Sequence, residues 1–547
     1  MIAAPWQGVY PENLPLTIDR EHDSLLTMFD ATMARDAERV AIAYFDGALT
    51  YRDLDERSDA LAVALLRGGF AAGDRLAIYT QNDPAFVVAL LAAWKAGGVA
   101  VLINPMNRVR ELTYLLQDSA ATALLCLEDL YAAVARDVIA TGTTHVKQTI
   151  VMRARDDQTR DDARVLGPGN EPALTGVRYL SDLLAEHRGQ VPPPVAADAG
   201  QPAVLTYTSG TTGVPKGAIN THGGISFNSQ TYRDWMTLSD DDVILGIAPL
   251  FHITGLVGHV CAALLLGAKL VLLHRFDGGV VLDAIREHRP TFTVGAITAL
   301  ANIAGQPTAT LDDFASLRVV YSGGAPIAPQ VRDDIRGRTG MVIHNIYGMT
   351  ETTSPTHAVP LGVSAPVDPV TGALSIGVPV FNTTARIVGE DGKSLPHGDI
   401  GELVVSGPQV TPGYWGKPDQ TAEKIVDGEL RTGDMGLMDE DGWFYLVDRK
   451  SDMIIASGYK VWPREVEDVL LSHPAVREAA VVGVEDPYRG ETVKAVVSLS
   501  AGSEATPEAL TEFCKGQLAA YKYPRIVEII DELPKNAAGK ILRRELR

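Results

Sequence analysis

Hydrophobic positions in residues 39–102 alternate between the spacing of a strand and the spacing of a helix. VAIAYF is a continuous apolar run, and Leu54, Leu61 and Leu65 then recur at helical spacing before Gly68. RLAIYT predicts the next strand, FVVALLAAWKAG a helix and VAVLIN a further strand. Strands that alternate with helices are typical of a parallel sheet covered by helices.

Residues 153–200 differ from this pattern because they are rich in Asp, Arg, Gly and Pro. They predict an exposed connector between two subdomains. From Ala203 the apolar runs resume as AVLTY, LGIAPLF, AKLVLLH, TFTVGA and LRVVYSGGAP, with a helical stretch at residues 280–288. This second series predicts a second parallel sheet.

After Gly442 the chain changes to short strands and helices. WFYLVDRKSDMI runs from an apolar strand into charges, REVEDVLLSH and PEALTEFCKGQLA predict helices, and AAVVGV, KAVVSLS and RIVEII predict strands. About 100 residues are enough for a small α+β domain. We therefore predict an N-terminal domain over residues 1–448 and a small C-terminal domain over residues 449–547.

Charge and composition narrow the class of protein. The 547 residues carry 48 Lys and Arg against 68 Asp and Glu, and the formal charge of -20 opposes binding to nucleic acid. Cys126, Cys261 and Cys514 are too few and too scattered for a disulfide framework, which favours a reducing compartment. The N-terminus has no signal-peptide pattern, and the apolar run at residues 260–273 is shorter than the ~20 residues that cross a bilayer. We expect a cytoplasmic monomer or homodimer without a transmembrane segment.

The strongest local motif is TSGTTGVPKG at residues 208–217, which follows the strand-like AVLTY. Glycines let the backbone N–H groups converge, hydroxyls add donors, and Lys216 supplies a cation for a polyphosphate. The motif is not a Walker A loop, because Gly217 follows the lysine where Ser or Thr is required. From composition alone, a flexible surface loop is an equal alternative to a triphosphate site.

These ten residues resemble the signature of the adenylate-forming superfamily, which comprises acyl-CoA synthetases, firefly-type luciferases and peptide-synthetase adenylation domains. The resemblance extends over roughly residues 25–547 and is closest to fatty acyl-CoA ligases. It implies an α/β fold: a large N-terminal domain of parallel helix-covered sheets with a smaller barrel-like subdomain, and a small mobile C-terminal α+β domain. The other segments that carry it, in chain order, are PLFHITG, YSGGAP, YGMTET, RTGD, DRKSDMIIASGYKVWPREVE and PKNAAGKILRREL.

The resemblance implies ATP, Mg²⁺ and coenzyme A as ligands. Tyr347 would lie against the adenine, Thr350 would contact the α-phosphate, and Glu351 would bind Mg²⁺ together with Thr208. Asp434 would accept hydrogen bonds from both ribose hydroxyls, with Arg449 beside it; taken alone, each could be a solvated loop charge. The implied contacts of ATP and AMP are Thr208, Ser209, Gly210, Thr211, Thr212, Gly213, Lys216, Gly323, Gly324, Ala325, Tyr347, Gly348, Met349, Thr350, Asp434 and Arg449.

In the C-terminal domain, the resemblance implies that Lys540 binds the acyl carboxylate and the α-phosphate, where charge builds up in the transition state. By default this lysine would be a solvated tail charge. Ser451 aligns with the hinge about which the small domain rotates, although many relatives carry Asp or Lys there. The implied catalytic group is Lys540, Thr208, Glu351 and His252, and the implied walls of the coenzyme A tunnel are Ser457, Gly458, Tyr459 and Trp462.

For the acyl pocket, the resemblance implies walls at His252, Ile253, Val257, Thr298 and Gly323, with His252 as a gate or else an ordinary core histidine. No carboxylate follows Phe251 to pair with an ammonium group, which disfavours an amino acid. We expect an acid:CoA ligase for an aliphatic acid of short to medium or branched chain. Alternatives are an enzyme that loads an acyl carrier protein and a nucleotide-binding protein without turnover.

Overall fold

A computed structural model describes residues 4–167, 174–208, 214–449, 451–456, 459–486, 490–535 and 541–547. Within these ranges the chain forms a mixed α/β structure with four sheets. The helices of the described ranges are all too short or too polar to cross a membrane. Cys126, Cys261 and Cys514 are buried free thiols.

The first part of the chain alternates strands and helices, as its hydrophobic pattern predicts. Local signals begin its helices: Thr50 and Asp53 form a capping box at α2, and Asp83 caps α3 ahead of Pro84. The elements are α1 Leu25–Asp36, β1 Val40–Tyr44, β2 Gly47–Thr50, α2 Tyr51–Arg67, β3 Arg75–Tyr79, α3 Pro84–Lys95, β4 Val99–Leu102, α4 Val109–Asp118, β5 Ala123–Leu127, α5 Glu128–Leu130, α6 Arg136–Ala140, β6 Gln148–Met152, α7 Ala163–Leu166, β7 Arg178–Tyr179, α8 Leu180–Glu186, β8 Pro202–Thr208 and β9 Lys216–Thr221.

The next part continues the alternation, and a π-helix, Leu256–Cys261, lies between two of its short helices. The elements are α9 His222–Trp235, β10 Val243–Leu245, α10 Ile253–Gly255, α11 Ala262–Leu266, β11 Lys269–Leu272, α12 Gly278–His288, β12 Phe292–Gly295, α13 Ile297–Ala304, β13 Val319–Ser322, α14 Pro329–Thr339, β14 Ile343–Met349, β15 Ser354–Ala358 and β16 Val378–Pro379.

Two large, mostly parallel sheets result, but their membership differs from the expectation. The seven-stranded sheet has the order β7-β6-β5-β3-β4-β8-β9, and the nine-stranded sheet has the order β16-β15-β14-β13-β12-β10-β11-β1-β2. The strand AVLTY therefore joins the first sheet beside β4, whereas β1 crosses to pair with β11 in the second. The predicted division at Ala203 is wrong, because an apolar run indicates a buried strand without indicating its neighbour.

The connector predicted at residues 153–200 is also only partly a loop. It contains α7, β7 and α8, and β7 pairs with β6 at the edge of the seven-stranded sheet. Leu180 and Leu183 of α8 are buried, so this stretch closes part of the core. The density of Asp, Arg, Gly and Pro around these residues obscured all three short elements.

Residues 384–449 form an antiparallel sheet, whereas the resemblance implied a barrel-like subdomain without giving its residues. Its strands pair in the order β17-β18-β20, and β19 and β21 also pair with β20. The elements are β17 Thr384–Val388, β18 Gly401–Ser406, α15 Pro418–Lys424, β19 Ile425–Val426, β20 Glu429–Met438 and β21 Phe444–Arg449.

The C-terminal residues form the predicted α+β unit with apolar packing of its own. Val466 and Leu470 of its first helix pack with Val481 and Val497 of its long hairpin. The domain boundary at residues 448 and 449 falls at the end of β21 and stays a prediction. The elements are β22 Ile454–Ala456, β23 Tyr459–Val461, α16 Pro463–Leu471, β24 Val476–Asp486, β25 Gly490–Leu499, α17 Pro507–Lys515 and β26 Ile526–Ile529.

Candidate active site

The predicted phosphate loop joins two antiparallel strands at the edge of the seven-stranded sheet. Thr208 ends β8 and Lys216 begins β9, and the two residues are register partners. The hairpin thus brings both ends of the loop together, with a hydroxyl on one strand and an ammonium on the other. The loop residues Ser209, Gly210, Thr211, Thr212 and Gly213 lie outside the described residues.

Tyr414 connects this hairpin to Glu351. The Lys216 Nζ lies 5.2 Å from the centroid of the Tyr414 ring, and the Tyr414 hydroxyl donates a 2.6 Å hydrogen bond to Glu351 Oε1. The Trp415 N–H donates to the Gly217 carbonyl at 2.8 Å, which fixes this turn against β9. Glu351 is only 6% exposed, so the Tyr414 hydroxyl satisfies a carboxylate oxygen that has little access to water.

The segment that carries Thr350 and Glu351 is held from two sides. The Asn220 side chain, on β9, donates to the Thr350 carbonyl at 3.0 Å and to Thr353 Oγ1 at 3.1 Å. On the other side, the Thr411 N–H donates to the Glu351 carbonyl at 2.8 Å. Because the backbone is anchored on both sides, the Glu351 carboxylate keeps a defined position next to the phosphate-loop hairpin.

Tyr347, Asp434 and Arg449, which were predicted to surround the nucleoside, lie in direct contact. The Tyr347 hydroxyl donates to Asp434 Oδ2 at 2.6 Å, and the Arg449 Nε lies 3.2 Å from Asp434 Oδ1. Asp434 and Arg449 are register partners in β20 and β21. Burial and the neighbouring Asp434 charge raise the pKa of the Tyr347 phenol, so this hydroxyl stays a donor.

Close packing of the backbone explains two of the glycines near this site. A Cβ on Gly323 would lie 2.4 Å from the Ile346 carbonyl oxygen, and one on Gly348 would lie 1.9 Å from the Ser354 carbonyl oxygen. Gly324 has a φ of +80°, with open space where its Cβ would be. Ala325 is half-buried after it, and Met349 is half-buried at the end of β14.

The residues predicted to line the acyl pocket separate into a buried and an exposed group. Ile253 and Val257 are fully buried and His252 is half-buried before α10, whereas Thr298 is exposed on α13. A Cβ on Gly258 would lie 2.8 Å from the ring of Tyr232, on α9. The π-helix and α9 therefore pack closely on this side of the site.

Only some of the residues predicted to act in the C-terminal domain are among the described residues. Ser457, Gly458 and Lys540 lie outside the described residues. Ser451 is exposed, with its Oγ 3.5 Å from Asp452 Oδ1. The exposed ring of Tyr459 stacks on Tyr521 at 4.7 Å between centroids, and half-buried Trp462 precedes α16.

Arg543 forms ion pairs on both sides of the predicted hinge residue, Ser451. Its guanidinium lies 3.4 Å from Asp448 Oδ1, 3.1 Å from Asp452 Oδ2 and 2.7 Å from Glu467 Oε2. Asp448 and Asp452 lie on either side of Ser451, so one guanidinium ties the two flanks of the hinge together.

The donors near the phosphate loop suit a magnesium ion that is shared with a nucleotide. Among the described residues, no cluster of three or more His, Cys, Asp or Glu could hold a metal by itself. Mg²⁺ commonly uses one or two carboxylates and takes its other ligands from phosphates and water. Buried Glu351 and the Thr208 hydroxyl fit such a set of oxygen donors.

Sequence reasoning missed several residues of this site. Tyr414 lies between Gly413 and Trp415, and this aromatic pair after a glycine was the sequence feature that could have indicated a site residue. Asn220 and Tyr232 lie on elements whose helical or strand pattern says nothing of their partners. In the sequence, Lys424 has the pattern of an ordinary charge at a helix end, although it contacts the β20 backbone just before Asp434.

Comparison with known proteins agrees with this geometry. Residues 29–415 match the AMP-binding enzyme family and residues 465–540 match the AMP-binding enzyme C-terminal domain. The chain is 35% identical over 555 residues to a long-chain-fatty-acid–CoA ligase of Bacillus subtilis (strain 168), covering 99% of this chain and 97% of the relative. It is 37% identical over 508 residues to a feruloyl-CoA synthase of Amycolatopsis sp, covering 93% and 95%.

Solved structures of similar fold include ATP-bound MatB from Rhodopseudomonas palustris, at 29% identity and a TM-score of 0.83 over 96% of this chain and 98% of that one. An anthranilate CoA ligase in complex with anthranoyl-AMP gives a TM-score of 0.86 at 26% identity, over 98% of both chains. The two family matches and the long relatives agree from end to end of the chain. The chain therefore belongs to the AMP-binding enzyme family, within the adenylate-forming superfamily, and is an acyl-CoA synthetase.

Proposed function

We propose that this enzyme activates an aliphatic monocarboxylic acid with ATP to an acyl-adenylate and transfers the acyl group to coenzyme A, releasing pyrophosphate and AMP. The proposal rests on two contacts that the YGMTET segment links. Tyr414 joins Lys216 to Glu351, and Tyr347, four residues before Glu351, donates to Asp434. One site thus offers a cation and hydroxyl for phosphates and a carboxylate for ribose hydroxyls.

In the first step, an acid carboxylate attacks the α-phosphorus and pyrophosphate leaves. Lys216 binds the departing phosphates, Asp434 accepts hydrogen bonds from the ribose, and Lys540 holds the carboxylate and the α-phosphate together. Positioned cations stabilise the charge that develops on the phosphoryl oxygens. Mg²⁺ held by Glu351 and Thr208 would offset the charge of the triphosphate.

In the second step, the C-terminal domain turns about Ser451 and the thiol reaches the acyl carbon past Ser457, Gly458, Tyr459 and Trp462. The sulfur forms a bond to the acyl carbon while the bond from that carbon to the phosphate oxygen breaks. The electron pair stays on AMP, and the thiol proton goes to solvent. We assign no general base to this step.

The proposed class of acid rests on the buried residues that are predicted to line the acyl pocket. Ile253 and Val257 are apolar and buried, and no carboxylate follows Phe251 to bind an ammonium group. The named relatives act on long-chain fatty acids and on ferulate, so family membership leaves the acid open. We propose a short- to medium-chain or branched aliphatic acid, with an acyl carrier protein as the alternative acceptor.

The test is a panel of acids from acetate to palmitate, with branched, hydroxylated and aromatic members, in the ATP–pyrophosphate exchange assay. We expect exchange with aliphatic acids and, on addition of coenzyme A, release of AMP. Palmitate or ferulate as the best substrate would contradict the proposed chain length or class. Acylation of a carrier protein without turnover of coenzyme A would favour the alternative acceptor.

A further inference from the structure

Lys424 approaches the β20 backbone beside Asp434 from a helix that none of the signature motifs includes. It is the last residue of α15, and its half-buried Nζ donates a 2.9 Å hydrogen bond to the Thr432 carbonyl. A Cβ on Gly433 would lie 3.5 Å from the same Nζ. The ammonium therefore lies against the backbone that immediately precedes Asp434.

Three of the charges that act on this ammonium belong to residues of the predicted nucleotide site. They are the carboxylates of Glu351 and Asp434 and, with opposite effect, the guanidinium of Arg449; the carboxylate of Glu402, on β18, is a further charge. Burial lowers the pKa of the Lys424 ammonium, against the three carboxylates, which favour its charged form. A half-buried cation beside these carboxylates reduces their repulsion toward an incoming nucleotide anion.

We propose that Lys424 binds the AMP portion of the substrate, on the α-phosphate side of the ribose, in both half-reactions. This inference rests on the proposed function. Glu351 belongs to the predicted phosphate side and Asp434 to the ribose side, and the Lys424 ammonium lies against the backbone that leads into Asp434. An ammonium has three donors, and the hydrogen bond to Thr432 uses one of them, so two are available to anionic oxygens.

The proposed rotation of the C-terminal domain explains why the site would use Lys424 in addition to Lys540. Lys540 belongs to the domain that turns, whereas Lys424 belongs to the large domain and stays with the nucleotide. When the thiolate attacks the acyl carbon, the bond to the phosphate oxygen breaks and AMP takes up the electron pair. A cation that remains beside AMP stabilises that leaving group after Lys540 has moved.

The experiment compares Lys424→Met and Lys424→Arg with wild-type enzyme in separate half-reactions. Pyrophosphate exchange reports the first, release of AMP from supplied acyl-adenylate by coenzyme A reports the second, and calorimetry reports AMP affinity without any acid. We expect Lys424→Met to slow both half-reactions and weaken AMP binding by on the order of 10-fold to 100-fold, as for loss of a hydrogen bond to a charged group. Lys424→Arg should retain most of each property.

Lys417→Met is the matched control, because Lys417 precedes the same helix but pairs with Asp118 at 2.6 Å. We expect this variant to keep wild-type AMP affinity. A Lys424→Met enzyme with a lower melting temperature but unchanged AMP affinity and rates would show that Lys424 only anchors α15, and would overturn the proposal. Loss confined to the first half-reaction would also overturn it. Failure of wild-type enzyme with every acid would refute the proposed function, and the AMP measurement would still test Lys424.

Discussion

Replacing Tyr414 with phenylalanine tests whether the Glu351 carboxylate is held in place for a metal–nucleotide complex. The change removes the hydroxyl that donates to Glu351 Oε1 at 2.6 Å but keeps the ring beneath the Lys216 ammonium. A hydrogen bond to a charged group contributes about 1.5–3 kcal/mol. Removing the donor leaves the buried carboxylate oxygen without a partner, so we expect a loss of that size. At about 1.4 kcal/mol per factor of ten, the affinity of the site should fall by roughly 10-fold to 100-fold.

The assay measures binding of Mn²⁺, as a spectroscopic substitute for Mg²⁺, to enzyme saturated with a non-hydrolysable ATP analogue. We expect Tyr414→Phe to raise the Mn²⁺ dissociation constant by that factor and to raise the Mg²⁺ concentration needed for half-maximal pyrophosphate exchange. Rates at saturating Mg²⁺ should recover substantially, because the carboxylate is still present and only its orientation is lost.

Tyr445→Phe provides the control, since Tyr445 donates a 2.8 Å hydrogen bond to Asp439 Oδ2, and neither residue belongs to the predicted nucleotide or metal site. Both variants lose one tyrosine–carboxylate hydrogen bond, so both should lower the melting temperature to a similar extent. Only Tyr414→Phe should change Mn²⁺ affinity. Equal Mn²⁺ affinities in Tyr414→Phe, Tyr445→Phe and wild-type enzyme would refute the link between Tyr414, Glu351 and the metal.

Three further outcomes follow from the same reasoning. Lys540→Ala should reduce acyl-adenylate formation by on the order of 100-fold or more while sparing attack of coenzyme A on supplied acyl-adenylate, and equal loss in both assays would disprove the assigned role. Gly458→Leu should block thioester formation but leave pyrophosphate exchange intact; impaired exchange would instead place this glycine in the adenylation step. Burial lowers the pKa of both His222 and His259 from 6.5 to about 4, so the unfolded chain binds protons that the folded chain does not as the pH falls below 6.5. The free energy of unfolding should therefore drop between pH 6.5 and 4, by up to about 3 kcal/mol for each histidine, and His259→Leu should flatten a thermal-melting profile across that range.

Several features of the site could be predicted from the chain because they depend on neighbours in sequence. The strand AVLTY and the loop after it follow from local pattern, whereas the pairing of Thr208 with Lys216 is known only from the structure. The YGMTET segment places Tyr347 and Glu351 on one short stretch, and the resemblance to the adenylate-forming superfamily assigned each a role. In the structure Tyr347, Asp434 and Arg449 lie in contact, and their roles stay predictions.

The alternation of strands and helices, the capping of α2 at Thr50 and the C-terminal α+β unit can be read from the chain, because hydrophobic period and helix caps act over a few residues. The placement of β1 in the second sheet and β8 in the first depends on which buried faces fit together, and an apolar strand carries no label for its neighbour. The same holds for Tyr414 with Glu351, which are 63 residues apart. Such contacts arise only when separate sheets pack together and bring polar groups that are distant in sequence into contact.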